Sequence, residues 1–238
     1  MPTDLNSTLV VHDDLNPVLW DGDTLRLSVR VALLKAALAF AEFIDLKELR
    51  VDDVILTGSS ASFNYTEFSD LDVHLIVSYE DTLGQELAQN FFGTKKSLWN
   101  ETHQITVKGY PVEMYVEDSA DPVKALGVYS LLKGEWVKKS TMDEKPEWND
   151  HAVAAKVDDM ADSIDTVLAK DDLTADEIDK LIERIRKMRK AGLAERGEFS
   201  TENLAFKGLR NLGYMDRLYQ ARMKAEDDAL SLESAGQT

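Results

Sequence analysis

The segment Gly58-Ser59-Ser60-Ala61-Ser62-Phe63-Asn64-Tyr65-Thr66-Glu67-Phe68-Ser69-Asp70-Leu71-Asp72-Val73-His74-Leu75-Ile76-Val77 decides how this chain is read. Residues 51–57 before it read as a short strand ending in the tight Gly58-Ser59 turn, and Leu71–Val77 reads as a second strand. Side chains alternate along a strand, so Asp70, Asp72 and His74 share one face while Val73, Leu75 and Val77 pack on the other. Two carboxylates held side by side repel unless a cation sits between them. The usual hard-oxygen partner is a divalent ion, and Mg²⁺ beside a phosphate fits that description. Ser60, Ala61 and Ser62 are small enough for backbone N–H groups to approach such a phosphate.

An Asp-x-Asp pair arises by chance in a chain this acidic, so the pair needs company before it means chemistry. A third carboxylate supplies it. In Tyr110-Pro111-Val112-Glu113-Met114-Tyr115-Val116 the residues Val112, Met114 and Val116 share one strand face, and Glu113 shares the other with Tyr115 and Glu117.

Taken together, Gly58, Ser59, Ala61, Ser69, Asp70 and Asp72 resemble the signature of the nucleotidyltransferase superfamily, the DNA polymerase β-like fold. Phe63 stands where that pattern often has a second glycine, Ser62 where it often has a basic residue, and Glu113 where an aspartate is commoner. The resemblance covers residues 25–120. More loosely, the whole chain, including Glu-Phe-Ser-Thr-Glu-Asn-Leu at 198–204, resembles uncharacterised nucleotidyltransferases of tailed bacteriophages. The resemblance implies Mg²⁺ or Mn²⁺ held by Asp70, Asp72 and Glu113, with Glu113 as metal ligand or general base. It implies a nucleoside triphosphate, ATP among them, contacted by Gly58, Ser59, Ser60 and Ser69. It implies an α+β fold: a mixed-sheet core flanked by helices, with a helical appendage that selects the acceptor.

Composition sets the outer bounds. The chain has 238 residues, 44% hydrophobic and 30% charged, and no cysteine, which excludes disulfides, thiolate metal sites and cysteine nucleophiles. No apolar run reaches the ~20 residues of a membrane span, and the start lacks the regions of a signal peptide, so the expected location is cytoplasmic, in a bacterial host if the chain is phage-encoded. The net charge of −17 disfavours general nucleic-acid binding. Charge is uneven: residues 180–222 hold eleven Lys or Arg against five Asp or Glu, a net of +6, which leaves −23 for the rest. That segment reads either as a solvated helix face with paired charges or as a docking surface for a phosphate-bearing partner.

Along the chain, residues 1–21 read as an irregular arm and 23–48 as a helix whose Leu27, Val31, Leu34, Leu38 and Ala41 recur at helical spacing. Residues 80–101 read as helical with a break at Gly93. Gln104–Lys108 and Tyr110–Glu117 read as a hairpin turning at Gly109, and 127–139 as another turning at Lys133-Gly134. After Pro146 the chain reads as helices, with a capping box at Thr174–Glu177, a stop at Gly192, a cap at Ser200 and a break at Gly213. The expected domains are 1–148 catalytic and 149–230 helical, with a disordered tail over 231–238.

Other residues carry weaker signals. His74 shares the acidic face but reads first as structural, and His12, His103 and His151 lack zinc-ligand spacing. The pairs Lys95-Lys96 and Lys138-Lys139 read as solvent-facing, with phosphate contact as the other option. Trp99, Trp136 and Trp148 read as packing residues, while Phe63 and Tyr65 are candidates to touch a base or ribose. Walker, Gly-x-Gly-x-x-Gly and Gly-x-Ser-x-Gly motifs are absent. The expected reaction is transfer of a nucleoside monophosphate to an acceptor hydroxyl of RNA, a protein or a small molecule. The alternative is a non-catalytic binding protein or inhibitor of a host machine on the same fold, docking by its acidic surface or by 180–222.

Overall fold

The computed structural model of the chain describes residues 10–47, 49–121, 125–141 and 147–231. These residues are α+β, with a mixed six-stranded sheet and seven α-helices. They fall into two compact units, one within residues 10–141 containing the sheet and one within residues 147–231 built of helices.

In the sheet unit a small hairpin, β1 (Trp20–Asp21) and β2 (Thr24–Leu25), leads into α1 (Leu27–Ile44). There follow β3 (Asp53–Thr57), β4 (Leu71–Val77), α2 (Tyr79–Thr82), α3 (Gln85–Thr102), β5 (Thr106–Val107), β6 (Tyr110–Asp118), β7 (Val128–Ser130) and β8 (Glu135–Lys138). The main sheet has the order β5-β6-β4-β3-β7-β8. Only β4 and β6 run parallel, which α2 and α3 make possible by crossing from one to the other; every other pairing is antiparallel.

The alternation in β4 and β6 sorts their side chains as the sequence requires. Val54, Leu56, Leu71, Val73, Leu75, Val77, Val112 and Met114 form one buried surface with Val29, Leu33, Phe40 and Ile44 of α1 and with Phe92 and Trp99 of α3. Truncating any of the large ones to alanine costs about 2–5 kcal/mol. The β5–β6 hairpin turns on Lys108 and Gly109, both at positive φ (54° and 87°), the two-residue geometry that matches strand twist. The second expected hairpin is β7–β8, closed by Gly134 at φ 74°.

Four local expectations are corrected. The first helix begins at Leu27 rather than 23, because Thr24–Leu25 folds back on Trp20–Asp21 around Gly22. Its buried face is Val29, Leu33, Ala36, Ala37, Phe40 and Ile44, while Leu27, Val31 and Leu38 are 70%, 56% and 62% exposed. Both stripes have helical period, and the one with Phe40 and Ile44 took the core. The break in the next helix falls at Gly84 (φ 78°), and Gly93 lies inside α3. The fourth lies in the helical unit: α5 (Ala175–Arg196) runs through Gly192 and stops at Gly197 (φ 72°). The arm, described from residue 10, is irregular but packed, with Leu15, Leu19 and Trp20 buried.

The helical unit comprises α4 (Asp150–Leu168), α5, α6 (Thr201–Asn211) and α7 (Tyr214–Leu230) around Val153, Ile164, Ile178, Ile185, Leu204, Leu209 and Leu218. Thr174 and Glu177 form the expected capping box, and Ser200 caps α6 through Asn203 N–H. Gly213, in left-handed conformation, separates α6 from α7. Lys180, Lys187, Lys207, Arg217 and Arg222 each face a carboxylate, several of them contributed from outside 180–222. The tail beyond Ser231 lies outside the described residues. No helix among the described residues is long and apolar enough to cross a membrane.

Two helical glycines should respond oppositely to a methyl group. A Cβ on Gly93 meets nothing within 4 Å, whereas one on Gly192 falls 2.5 Å from Glu202 Cβ and 2.7 Å from Ser200 Oγ. In denaturant unfolding, Gly93→Ala should gain about 0.5–1 kcal/mol, and Gly192→Ala should lose about 1–3 kcal/mol.

Candidate active site

Parallel pairing of β4 with β6 sets Asp72 directly beside Glu113, and antiparallel pairing of β3 with β4 sets Thr57 on the other side of Asp72. Asp70 stands just before β4. Each of Asp70, Asp72 and Glu113 offers a carboxylate oxygen within 4.8 Å of the others, and all three are half-buried. A strand slip of one residue would turn Asp72 into the core, so the apolar alternation of β4 is also what fixes the site.

The Gly58 turn packs against this cluster. Gly58 adopts φ 75° and ψ −161°, a conformation open to glycine alone. A Cβ there would fall 2.1 Å from Asp72 Oδ2, so the missing side chain is also the space the carboxylate occupies. The turn then enters a single 3₁₀ turn, Ser59–Ala61.

The remaining serines hold the loop in shape. Ser60 is fully buried; its hydroxyl donates to the Asp70 carbonyl (2.5 Å), and its own carbonyl accepts from Trp20 Nε1 (2.8 Å). The Ser69 hydroxyl lies 2.9 Å from that of Ser59 and accepts from Thr66 N–H. Of the four residues expected at a nucleotide, Gly58 and Ser59 are half-buried, whereas Ser60 and Ser69 are buried with their hydroxyls engaged within the loop. Asp70 is thereby fixed through its main chain, leaving its carboxylate to point into the cluster.

Glu113 is oriented by its own strand. The Tyr115 hydroxyl donates to Glu113 Oε2 at 2.5 Å. Burial, then the fields of Asp72, Glu113 and Asp70, push the Tyr115 phenol far above its usual range, so it remains a donor. Lys96 of α3 reaches over the Tyr115 ring, 4.1 Å from its centroid. One turn further along α3, Asn100 accepts from Met114 N–H and donates to Met114 C=O, holding the edge of β6 beside Glu113.

His74 does share the acidic face. It is buried, stacks on Tyr115 at 4.5 Å, and sets Nδ1 3.1 Å from Glu117 Oε1. The imidazole holds the Glu117 carboxyl below its usual range, against partial burial. Its partner is therefore Glu117, at the far end of the face from Asp70.

The other candidates lie elsewhere. Lys95 donates to Phe43 C=O, Lys138 to Ala125 C=O, and Lys139 pairs with Asp23. Tyr65 stacks on His12 at 3.9 Å, and His12 N–H donates to Phe63 C=O, so the Phe63–Tyr65 stretch is clasped by the N-terminal arm. Trp99 is buried in the sheet unit, Trp136 packs against the same core, and Trp148 packs on the helical one. Tyr115 lies against Glu113 and Lys96 over the Tyr115 ring, neither having been singled out for that place. Tyr115 was legible two residues along the same strand face, and Lys96 was marked only as one of a lysine pair with phosphate contact as an option.

No protein-family model and no curated protein matches this chain. Among solved structures it is similar to a STING-associated CdnE c-di-GMP synthase from Capnocytophaga granulosa, with 13% identity and a TM-score of 0.25, over 88% of this chain and 70% of that one. Likeness at that level carries no functional weight, which rests on the residues of the site.

Three clustered carboxylates make a testable cation site. Mn²⁺ present at about 100 times its Kd should stabilise the protein by about 2.7 kcal/mol, seen as a rise in melting temperature. Asp72→Asn should abolish that rise while melting within about 0.5 kcal/mol of the metal-free wild type, since one repulsion is removed. An equal Mn²⁺-induced rise in the variant contradicts the assignment.

Proposed function

We propose that this chain is a divalent-metal-dependent nucleotidyltransferase that transfers a nucleoside monophosphate from a nucleoside triphosphate to an acceptor hydroxyl, releasing pyrophosphate. The observation that carries the reading is the meeting of Asp70, Asp72 and Glu113 at the β4–β6 register, against a Gly58 turn that leaves room for nothing larger. Half-buried acids from two strands, backed by a loop of interlocked serines, are costly to hold together unless a cation uses them.

The donor set fits Mg²⁺ or Mn²⁺: hard carboxylate oxygens, with no sulfur and no histidine among the three. When bound, such an ion neutralises phosphate oxygens and favours attack at the α-phosphorus and departure of pyrophosphate. The chain's own part is positioning. Asp70 and Asp72 hold the ion side of the site. Glu113, kept in place by the Tyr115 hydroxyl, is the third ligand or takes the proton from the acceptor hydroxyl. Gly58 and Ser59 face the triphosphate, and Lys96 brings a positive charge beside the acidic cluster. The helical unit, as a separate domain from about residue 149, selects the acceptor.

The test is incubation with each α-labelled ribonucleoside triphosphate and Mg²⁺ or Mn²⁺, with and without cell lysate. The wild type should label an RNA, a protein or a small molecule. Asp70→Asn and Asp72→Asn should fold normally and lose transfer by at least about 10³-fold. Transfer retained by either pure variant refutes the site. Absence of transfer together with absence of metal-dependent triphosphate binding favours a non-catalytic binding protein instead.

A further inference from the structure

The outer face of α1 carries an apolar stripe that is largely exposed among the described residues. Leu27, Val31 and Leu38 are 70%, 56% and 62% exposed, and Leu34 and Ala41 beside them are half-buried, with one side against the sheet core. Their spacing alternates four and three residues, the a/d pattern of a helix that packs along another helix. Arg30 of the same helix donates to the main-chain carbonyls of Leu131 (2.6 Å) and Leu132 (2.7 Å), and Leu132 is itself 47% exposed. A row of exposed large apolar side chains along one helix face marks an interaction surface.

Charge along the same helix says what covers it. The N-terminal half carries Arg26, Arg30 and Lys35, and the C-terminal end carries Glu42 and Asp45. A parallel neighbour of the same sequence would set like charges together. An antiparallel one sets basic half against acidic half, twice, and also opposes the helix dipoles favourably. In heptad terms Val31 and Leu38 are a positions, Leu27, Leu34 and Ala41 are d positions, and Lys35 and Glu42 are both e positions. With Leu34 packed across from the partner's Leu38, e positions face each other and each Lys35 lies opposite a Glu42 of the second copy. Such a surface is self-complementary about a twofold axis, as a two-fold dimer requires.

We infer that the α1 stripe is a homodimer interface in which two copies of α1 pack antiparallel. The inference is independent of the proposed activity. It is read by sedimentation velocity on the full chain over roughly 1–100 µM, the range in which a modest helix-pair interface dissociates. The wild type should pass from monomer to dimer within that range. Leu38→Glu should remain a monomer at every concentration, with an unchanged circular dichroism spectrum, because Leu38 supports no core contact.

Charge reversal then distinguishes this dimer from any other. Lys35→Glu and Glu42→Lys should each weaken dimerisation at least tenfold, and the double reversal should restore it to within about threefold of wild type. A wild type that stays monomeric to the top of the range overturns the inference. So does a dimer indifferent to Leu38→Glu, or a double reversal that stays as weak as the single ones.

Discussion

Everything distinctive about this protein depends on one pairing: β4 lies parallel to β6 in the register that sets Asp72 against Glu113. Parallel strands need a crossover, and α2 and α3 provide it. The crossover helix also delivers Asn100 to the main chain of Met114 and Lys96 to the Tyr115 ring, so the element that makes the pairing possible also supports its acidic face. The opposite face of the same strands is apolar and buried against α1 and α3. Core and site are thus two sides of one constraint, and neither can shift by a residue without the other.

Holding three carboxylates together is unfavourable, and the local structure shows how the cluster is maintained. Gly58 gives up its side chain so that Asp72 can approach the turn. Ser60 fixes the main chain at Asp70, and Ser59 and Ser69 tie the two ends of the intervening loop together. Tyr115, unable to ionise in that field, remains a donor to Glu113. A loop this thoroughly cross-linked leaves little freedom for the acids to move apart.

Much of this was legible in the sequence. The two-residue periodicity of Leu71–Val77 and Val112–Val116 dictated which side chains face the core, and the Asp-x-Asp spacing put both acids on one face. The turn glycines Gly109 and Gly134 marked hairpins because both sit at positive φ. What misled was redundancy. The first helix is apolar on two stripes, and periodicity cannot choose between them; the contest was settled by Phe40 and Ile44 meeting the sheet. Gly192 looked like a terminator because glycine commonly ends helices, yet it is there to let α5 approach Ser200 and Glu202. Lys96 was marked only as half of a lysine pair, and Asn100 not at all, because their contacts are made across the crossover, where no local pattern reaches.

The most direct measurement of the central claim is a crystal structure of the protein with Mn²⁺ and a non-hydrolysable nucleoside triphosphate, read at the manganese absorption edge. The account predicts anomalous density bounded by Asp70, Asp72 and Glu113, with the triphosphate running toward Gly58 and Ser59. Manganese bound elsewhere, or a triphosphate seated away from these carboxylates, would contradict it.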